Sequence, residues 1–123
     1  MSTRRQETGK RAEQLAAEFL AAQGLTVLER NYRRRLGELD IIASDAGVLV
    51  IAEVRTRAVE TFGGAAASVD GFKQRRIIRA TAQLLQQRRE LARLPVRFDV
   101  LVVSGLERAS PRIEWIRHAF EAP

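Results

Sequence analysis

The chain has 123 residues, which is enough for one domain, residues 1–123, with a single hydrophobic core. It contains no cysteine, which excludes disulfide bonds, thiolate metal sites and cysteine nucleophiles. The net charge of +6 favours a polyanionic partner, although a general preference for arginine in the genome would produce the same excess. The N-terminal segment is charged and no stretch could span a bilayer, so a cytoplasmic protein without membrane contact is expected.

An amphipathic helix is predicted over residues 8–23, where apolar side chains recur at the helical spacing i, i+3, i+4 and i+7. Thr8 is the predicted N-cap, and Gly24 is the predicted stop. Glu13 lies at the edge of the apolar stripe. From there it can remain a solvated flanking residue or point along the sheet towards other acids.

Residues 25–30 predict a first strand, and the basic stretch 31–35 predicts a turn that leads into a hairpin. Three consecutive arginines are typical of a solvated loop. They are also suited to a loop that contacts phosphate, which is the functional alternative for Arg33, Arg34 and Arg35.

Two strands joined by a tight turn are predicted over residues 36–57, LGELDIIASDAGVLVIAEVRTR. Glu38, Asp40 and Glu53 lie there among β-branched and aliphatic residues. A buried charge without a partner costs several kcal/mol. These carboxylates therefore need either arginine partners or a metal ion.

A two-residue turn at residues 46–47 would set the register of this hairpin, although alanine suits the first position of a type I′ turn poorly. In that register Asp40 is opposite Glu53 and Glu38 is opposite Arg55, with all four side chains on one face. Opposed carboxylates repel each other unless a cation lies between them. Ions such as Mg²⁺ are held by one or two carboxylates together with waters and phosphate oxygens.

Residues 58–69, which include the motif FGG, predict a connection whose glycines lack the spacing of a phosphate-binding loop. A second helix is predicted from Asp70, as N-cap, to about residue 93, because Leu94-Pro95 follows. Cations crowd its first turns and oppose the helix macrodipole. They are either tolerated or bind an anion, and they are Lys73, Arg75, Arg76 and Arg79.

Residues 96–103 predict a strand in which Asp99 is paired with a neighbour and is not catalytic. A last strand is predicted over residues 112–117, followed by His118 as a surface or packing residue. The order is therefore one helix, three strands, a second helix and one or two strands. This predicts an α/β or α+β fold in which helices flank a mixed central sheet.

The order of the elements and the position of the acids resemble the restriction-endonuclease-like, PD-(D/E)xK nuclease superfamily, with its αβββαβ core. Most of the chain resembles more closely the YraN-like family of predicted endonucleases, which is distantly similar to archaeal Holliday junction resolvases. The matching stretches are GKRAEQLAAEFLAAQGLTVLERNYR, GELDIIA, IAEVRTR, FGG, FKQRR, RFDVLVV and HAF.

This resemblance implies an endonuclease that hydrolyses DNA phosphodiester bonds with Mg²⁺ or Mn²⁺, including branched or junction DNA. Asp40 and Glu53 would hold the metal, and Glu13 would complete the site. Glu38 would support these ligands from the adjacent GE-hydrophobic-D element. In such nucleases a metal-bound water attacks the scissile phosphate.

The resemblance also implies phosphate contacts for Lys73 and Arg76, and by analogy with junction resolvases it implies a homodimer. Arg55 departs from the family, because it stands where the family has the lysine of its E-x-K element. Arginine remains protonated, so Arg55 can neutralise a phosphate but cannot accept a proton. The alternative function is a non-catalytic nucleic-acid-binding module on a nuclease scaffold.

Overall fold

The computed structural model describes residues 3–57 and 69–123, which form two helices and a five-stranded mixed sheet. In chain order the elements are α1 (Arg4–Ala22), β1 (Thr26–Arg34), β2 (Gly37–Asp45), β3 (Val48–Arg57), α2 (Gly71–Gln87), β4 (Val96–Ser104) and β5 (Arg112–Phe120). The strands are adjacent in this same order, with β3 and β4 parallel and the other pairs antiparallel. The predicted αβββαβ order and mixed sheet are confirmed.

The two helices pack on opposite faces of this sheet. Val50 and Ala52 of β3 belong to the apolar cluster around α1, whereas Ile51 between them belongs to the cluster around α2. Successive side chains of a strand point to opposite faces. The sheet is therefore a middle layer, and β3 is buried on both sides.

The first helix begins earlier than predicted, at Arg4, and its N-cap is Thr3. The Thr3 hydroxyl accepts from the backbone N–H of Gln6 at 3.1 Å, and the Gln6 side chain accepts from the backbone N–H of Thr3 at 2.8 Å. This reciprocal capping box satisfies two N–H groups that have no partner inside the helix. The prediction of Thr8 as N-cap is wrong, because its hydroxyl donates to the Arg4 carbonyl inside the helix.

The second helix begins at its predicted cap, where the Asp70 carboxylate accepts from the backbone N–H of Lys73 at 2.8 Å. Its predicted end near residue 93 is wrong. Arg88 leaves helical geometry at φ −122° and ψ 83°. Its guanidinium lies 3.4 Å from Glu29 and 3.3 Å from Glu90, so ion pairs hold the chain in the following turns.

The first strand continues through Arg34, so the prediction of a basic turn over residues 31–35 is wrong. Tyr32 explains the extension, because its ring is 1% exposed and its hydroxyl donates to Gln87 at 2.8 Å. The strand also pairs Arg34 with Gly37 of β2. The arginines remain exposed on the end of a strand and its short turn.

The last strand extends to Phe120, beyond the predicted residues 112–117. Asp99, fully buried on β4, fixes this extension through contacts at 2.9 to 3.0 Å with the Arg97 guanidinium, the Trp115 indole N–H and the His118 backbone N–H. The prediction that Asp99 is paired with a neighbour is confirmed. The His118 side chain is exposed, as expected of a surface residue.

Residues 58–68, including the FGG motif, lie outside the described residues. No helix in the described ranges is long and apolar enough to cross a membrane.

Candidate functional site

The β2–β3 hairpin has the register that a two-residue turn predicts, with Ile41 opposite Ala52 and Asp45 opposite Val48. Ala46 has a φ of 49° and Gly47 a φ of 88°. Positive φ at both central residues is what a type I′ turn requires, so the turn forms despite the alanine. The described ladder ends at the Ile41–Ala52 pair, and Asp40 and Glu53 are the next residues on the two strands.

The alternation of β2 breaks at Asp40. Leu39 packs in the cluster around α2, whereas Ile41, two residues later, packs in the cluster around α1. Residues two apart on a regular strand point to the same face. The side chains of β2 therefore switch from one face of the sheet to the other between Leu39 and Ile41. The Asp40 carboxylate is turned towards β3 and accepts from the backbone N–H of Val54 at 2.9 Å.

This break overturns the prediction that four side chains share one face through a continuous ladder. Glu38 lies 3.4 Å from Arg33 on the neighbouring strand β1, and both side chains are largely exposed. Within residues 3–57 and 69–123, Glu38 forms no ion pair with Arg55. The cross-strand partner predicted for Glu38 is therefore replaced by one on the other side of β2.

Asp40 and Glu53 do come together. Glu53 is 3% exposed, and the only ion pair that its side chain makes in the described residues is with Lys73 of α2, 3.4 Å away. Burial raises the pKa of Glu53 to about 8, and the neighbouring Asp40 carboxylate adds to this rise. Burial likewise raises the pKa of Asp40. Two acids held together in a desolvated position favour an added cation or a bound proton.

Glu13 of α1 approaches the same position from the other face of the sheet. Burial raises its pKa, and the charge of Asp40 contributes the next largest effect. Glu13 and Asp40 line one cavity of about 370 Å³ together with Lys73. The structure thus places Asp40 next to both Glu13 and Glu53, and we call these three residues the acid site.

Two carboxylate oxygens of the acid site are buried without a hydrogen-bond partner, Glu13 Oε1 and Glu53 Oε2. Burying such an oxygen destabilises the folded protein unless a cation or a hydrogen-bond donor reaches it. Within the described ranges, no group of three or more His, Cys, Asp or Glu side chains is placed so that it could hold a metal ion. The donor set nevertheless fits Mg²⁺ or Mn²⁺, which bind one or two carboxylates and complete their shell with water and substrate oxygens.

Lys73 is the residue whose position sequence reasoning missed, because it was assigned to phosphate contact alone. The structure places its ammonium group beside the buried Glu53. Lys73 also lines the 370 Å³ cavity that contains Glu13 and Asp40, which we call the acid cavity. The sequence contained one signal for this, since the chain has only two lysines, Lys10 and Lys73, among 21 basic residues. Lysine carries a compact ammonium group, which suits a position beside a buried carboxylate.

Arg55 lies two residues after Glu53 on β3 and is half-buried. No ion pair of Arg55 occurs in the part of the chain that the structure describes. The walls that β3 contributes to the acid cavity are Val54 and Thr56, which alternate with Arg55. Its guanidinium therefore belongs to the α2 side of the sheet and is not neutralised by a described carboxylate.

Exposed arginines surround one side of the acid site. Gly37 positions them, because a Cβ atom at this residue would lie 2.8 Å from the Arg76 carbonyl oxygen of α2. The β1–β2 turn and the start of α2 therefore lie against each other. We call the resulting surface the basic edge, and its members are Arg33, Arg34, Arg35, Arg75, Arg76 and Arg79.

Comparison with known sequences identifies the family of this chain. Residues 12–103 match the model of the uncharacterised protein family UPF0102. A UPF0102 protein of Alkalilimnicola ehrlichii is 48% identical over 117 residues, covering 95% of this chain and 89% of the relative. UPF0102 protein MCA0184 of Methylococcus capsulatus is 45% identical over 115 residues, covering 94% and 91%. The YraN-like resemblance is thus confirmed at the level of the family, and the chain belongs to the UPF0102 family.

Proposed function

We propose that this chain is a metal-dependent endonuclease on a restriction-endonuclease-like scaffold, acting on DNA. The observation that carries the proposal is the acid site, where Glu13 Oε1 and Glu53 Oε2 are both buried without a hydrogen-bond partner. Simple phosphate binding would be weakened by buried carboxylates, because they repel the phosphate. A divalent cation reverses that relation, since it binds the acids and attracts the phosphate.

Asp40 and Glu53 would hold the ion from β2 and β3, and Glu13 would reach it from α1. When bound, the ion would supply the Lewis acid that lowers the pKa of a water molecule and offsets phosphoryl charge. Two features of the chain prepare for this role. The Val54 N–H fixes one Asp40 oxygen at 2.9 Å, and the burial of Glu53 limits competition from bulk water.

The basic side chains around the acids would bind and orient the phosphate backbone. Lys73 would place its ammonium group next to Glu53. Arg55 and the basic edge would supply further positive charge. Fixed charges of this kind stabilise the extra negative charge of a phosphoryl transition state.

The test is a cleavage assay on linear, single-stranded and four-way DNA with Mg²⁺ or Mn²⁺, supported by Mn²⁺ titration calorimetry. Asp40→Asn and Glu53→Gln should each lower cleavage by at least about 10²-fold, the scale expected when one electrostatic contribution is lost, and should weaken Mn²⁺ binding. Glu18→Gln is the matched control, because Glu18 is an exposed acid on α1. Retained cleavage and Mn²⁺ binding in both acid variants would refute the proposal.

A non-catalytic nucleic-acid-binding module is the second candidate, and Arg55 is the observation that favours it. Arginine does not release its proton, so a proton acceptor that the motif lysine could provide is missing at this position. This candidate predicts salt-sensitive DNA binding without cleavage in any metal. It also predicts that Asp40→Asn strengthens DNA binding, because a repulsive charge is removed.

A further inference from the structure

Phe72 is the most exposed of the large apolar side chains in the described residues, with 65% of its surface accessible. It lies in the first turn of α2, which the Asp70 cap fixes through the Lys73 N–H. Single exposed apolar residues are common on protein surfaces. Exposure alone therefore does not indicate a ligand, whereas the chemical groups around the ring can.

The surroundings of Phe72 combine apolar and cationic groups. Phe72 and Arg76 are four residues apart in α2 and share a helix face. Gly37 holds the β1–β2 turn against Arg76, which brings Leu36, 48% exposed, to the same edge. Phe72 and Lys73 also line one cavity of about 280 Å³, whose walls include the acids Glu38 and Asp70. Lys73 also lines the cavity that contains Glu13 and Asp40, so the two cavities share this side chain as a wall.

We infer that Phe72 stacks on an unpaired or unstacked base of a nucleic acid whose phosphates lie along the basic edge. The inference rests on the proposed function and specifies its substrate class. A positive surface that follows the backbone, together with an aromatic ring for the bases, is the usual arrangement for binding single strands. The substrate would therefore contain a single-stranded segment or a branch beside the phosphate that reaches the acid site.

A second copy of this chain is disfavoured as the occupant of this surface. Within residues 3–57 and 69–123 there is no ion pair for four exposed arginines of the basic edge, Arg35, Arg75, Arg76 and Arg79. Two basic edges brought face to face would repel each other. A phosphate backbone instead neutralises these arginines while the base covers the ring.

The experiment measures binding in EDTA, so that neither metal binding nor cleavage contributes. The probes are a blunt DNA duplex and the same duplex with a single-stranded branch that carries 2-aminopurine. The parent protein should prefer the branched probe and change the fluorescence of 2-aminopurine. Phe72→Ala should weaken binding to the branched probe by roughly 5- to 100-fold, the range for loss of one base–aromatic stack, with blunt-duplex binding and its salt slope unchanged.

Phe72→Trp should preserve the preference for the branched probe, because it keeps an aromatic face. Leu28→Ala is the matched control, since Leu28 is 37% exposed near the opposite end of β1 from the basic edge. Equal binding of parent and Phe72→Ala to the branched probe would overturn the inference. A change from dimer to monomer in Phe72→Ala, measured by light scattering, would also overturn it, because the ring would then contact a second copy.

The inference and the proposed function fail separately in this design. A parent protein that cuts DNA but whose branch preference survives Phe72→Ala overturns only the stacking of Phe72. A parent protein that binds neither probe overturns both. A parent protein that shows the predicted Phe72 dependence but has no metal-dependent cleavage supports stacking and favours the binding module.

Discussion

The side chain of Glu53 shows how a single residue links stability to binding. It is 3% exposed, and one of its carboxylate oxygens has no hydrogen-bond partner. Its contact with Lys73, at 3.4 Å, is longer than a strong charge-assisted hydrogen bond. Without a bound cation, the ionised Glu53 carboxylate therefore lowers the free energy of unfolding. A cation that binds this carboxylate would offset that loss of stability.

We predict that the metal-free protein loses stability as the pH rises from about 4.5 to about 8. Burial and the neighbouring Asp40 raise the pKa of Glu53 from 4.5 to about 8. Within this window the folded protein retains a proton that the unfolded chain releases, so the free energy of unfolding falls as pH increases. Glu53→Gln should reduce this fall, and urea denaturation in EDTA at several pH values measures it.

Glu18→Gln is again the control, because Glu18 is exposed and its removal should leave the pH dependence as in the parent. Parallel pH profiles for the parent protein and Glu53→Gln would show that Glu53 titrates normally in the folded state. Adding Mn²⁺ at the upper end of the window should restore stability in the parent more than in Glu53→Gln.

Arg55 provides a prediction that separates an electrostatic role from a structural one. Its guanidinium has no ion pair in the described residues, so no described salt bridge is lost when it is removed. Arg55→Ala should therefore lower cleavage by roughly 10²- to 10³-fold with little change in melting temperature. Arg55→Lys should keep cleavage at the parental level or above it, because the positive charge is retained.

Cleavage rates and melting temperatures of these two variants can be compared on the same preparations. A parental cleavage rate in Arg55→Ala would remove Arg55 from the site. A large drop in its melting temperature would instead assign a packing role to the aliphatic part of the side chain.

The elements differ in how well local sequence predicts them. The start of α2 was predictable, because Asp70 has the side chain of an N-cap and directly precedes the helix. The start of α1 was not, because Thr3 and Thr8 are both suitable caps. The side chain of Gln6 decides between them by completing a capping box with Thr3.

The hairpin register was predictable from the two-residue turn, but the break in β2 was not. Leu39 and Ile41 are both large aliphatic residues, although they pack on opposite faces of the sheet. The break depends on the Asp40 carboxylate accepting from the Val54 N–H. A side chain that takes the place of a backbone hydrogen bond between strands cannot be recognised from the alternation of apolar and polar residues.

We predict that Gly37→Ala destabilises the protein by about 1–3 kcal/mol, the usual cost of inserting an atom into a packed position. The added Cβ would lie 2.8 Å from the Arg76 carbonyl oxygen, and neither backbone segment can yield easily. The matched control is Gly9→Ala in α1, where the new atom meets nothing within 4 Å. The control should stabilise the protein by about 0.5–1 kcal/mol.

Chemical denaturation of both glycine variants measures the two effects. Gly37→Ala should also weaken DNA binding, because it displaces the β1–β2 turn from the start of α2. Equal stability of Gly37→Ala and Gly9→Ala would show that the two elements are not held together by this close approach.

At the scale of the whole molecule, the basic edge predicts DNA binding that weakens steeply with salt. Each phosphate contact contributes about −0.9 to the slope of log affinity against log salt for duplex DNA. Arg75→Ala combined with Arg76→Ala should flatten that slope by up to about two units if both arginines contact phosphate. Fluorescence anisotropy at several salt concentrations measures the slope.

Arg89→Ala combined with Arg93→Ala is the control, because both arginines are exposed beyond the other end of α2. This pair removes the same charge from the molecule and should leave the slope unchanged. Equal flattening by both double variants would mean that net charge, rather than the basic edge, determines DNA binding.

The acid site and Lys73 together come from both helices and from β2 and β3, which limits what sequence alone can show. Asp40 and Glu53 were predictable as a pair, because one hairpin carries both. The contact between Glu53 and Lys73 was not, because the parallel connection from β3 to β4 sets where α2 crosses the sheet. No local pattern gives that crossing position.

Because β3 pairs in parallel with β4, part of the surroundings of the acid site is synthesised well after the three acids themselves. Glu13, Asp40 and Glu53 have all been synthesised by residue 57, but Lys73 follows in α2 and β4 ends at Ser104. Domains fold as units during synthesis, beginning from the N-terminal end. A nascent chain that ends before α2 therefore carries all three carboxylates without the ammonium group or the neighbouring strand. We expect such a chain to have no competent site, so that any activity would begin only after α2 and β4 have been synthesised.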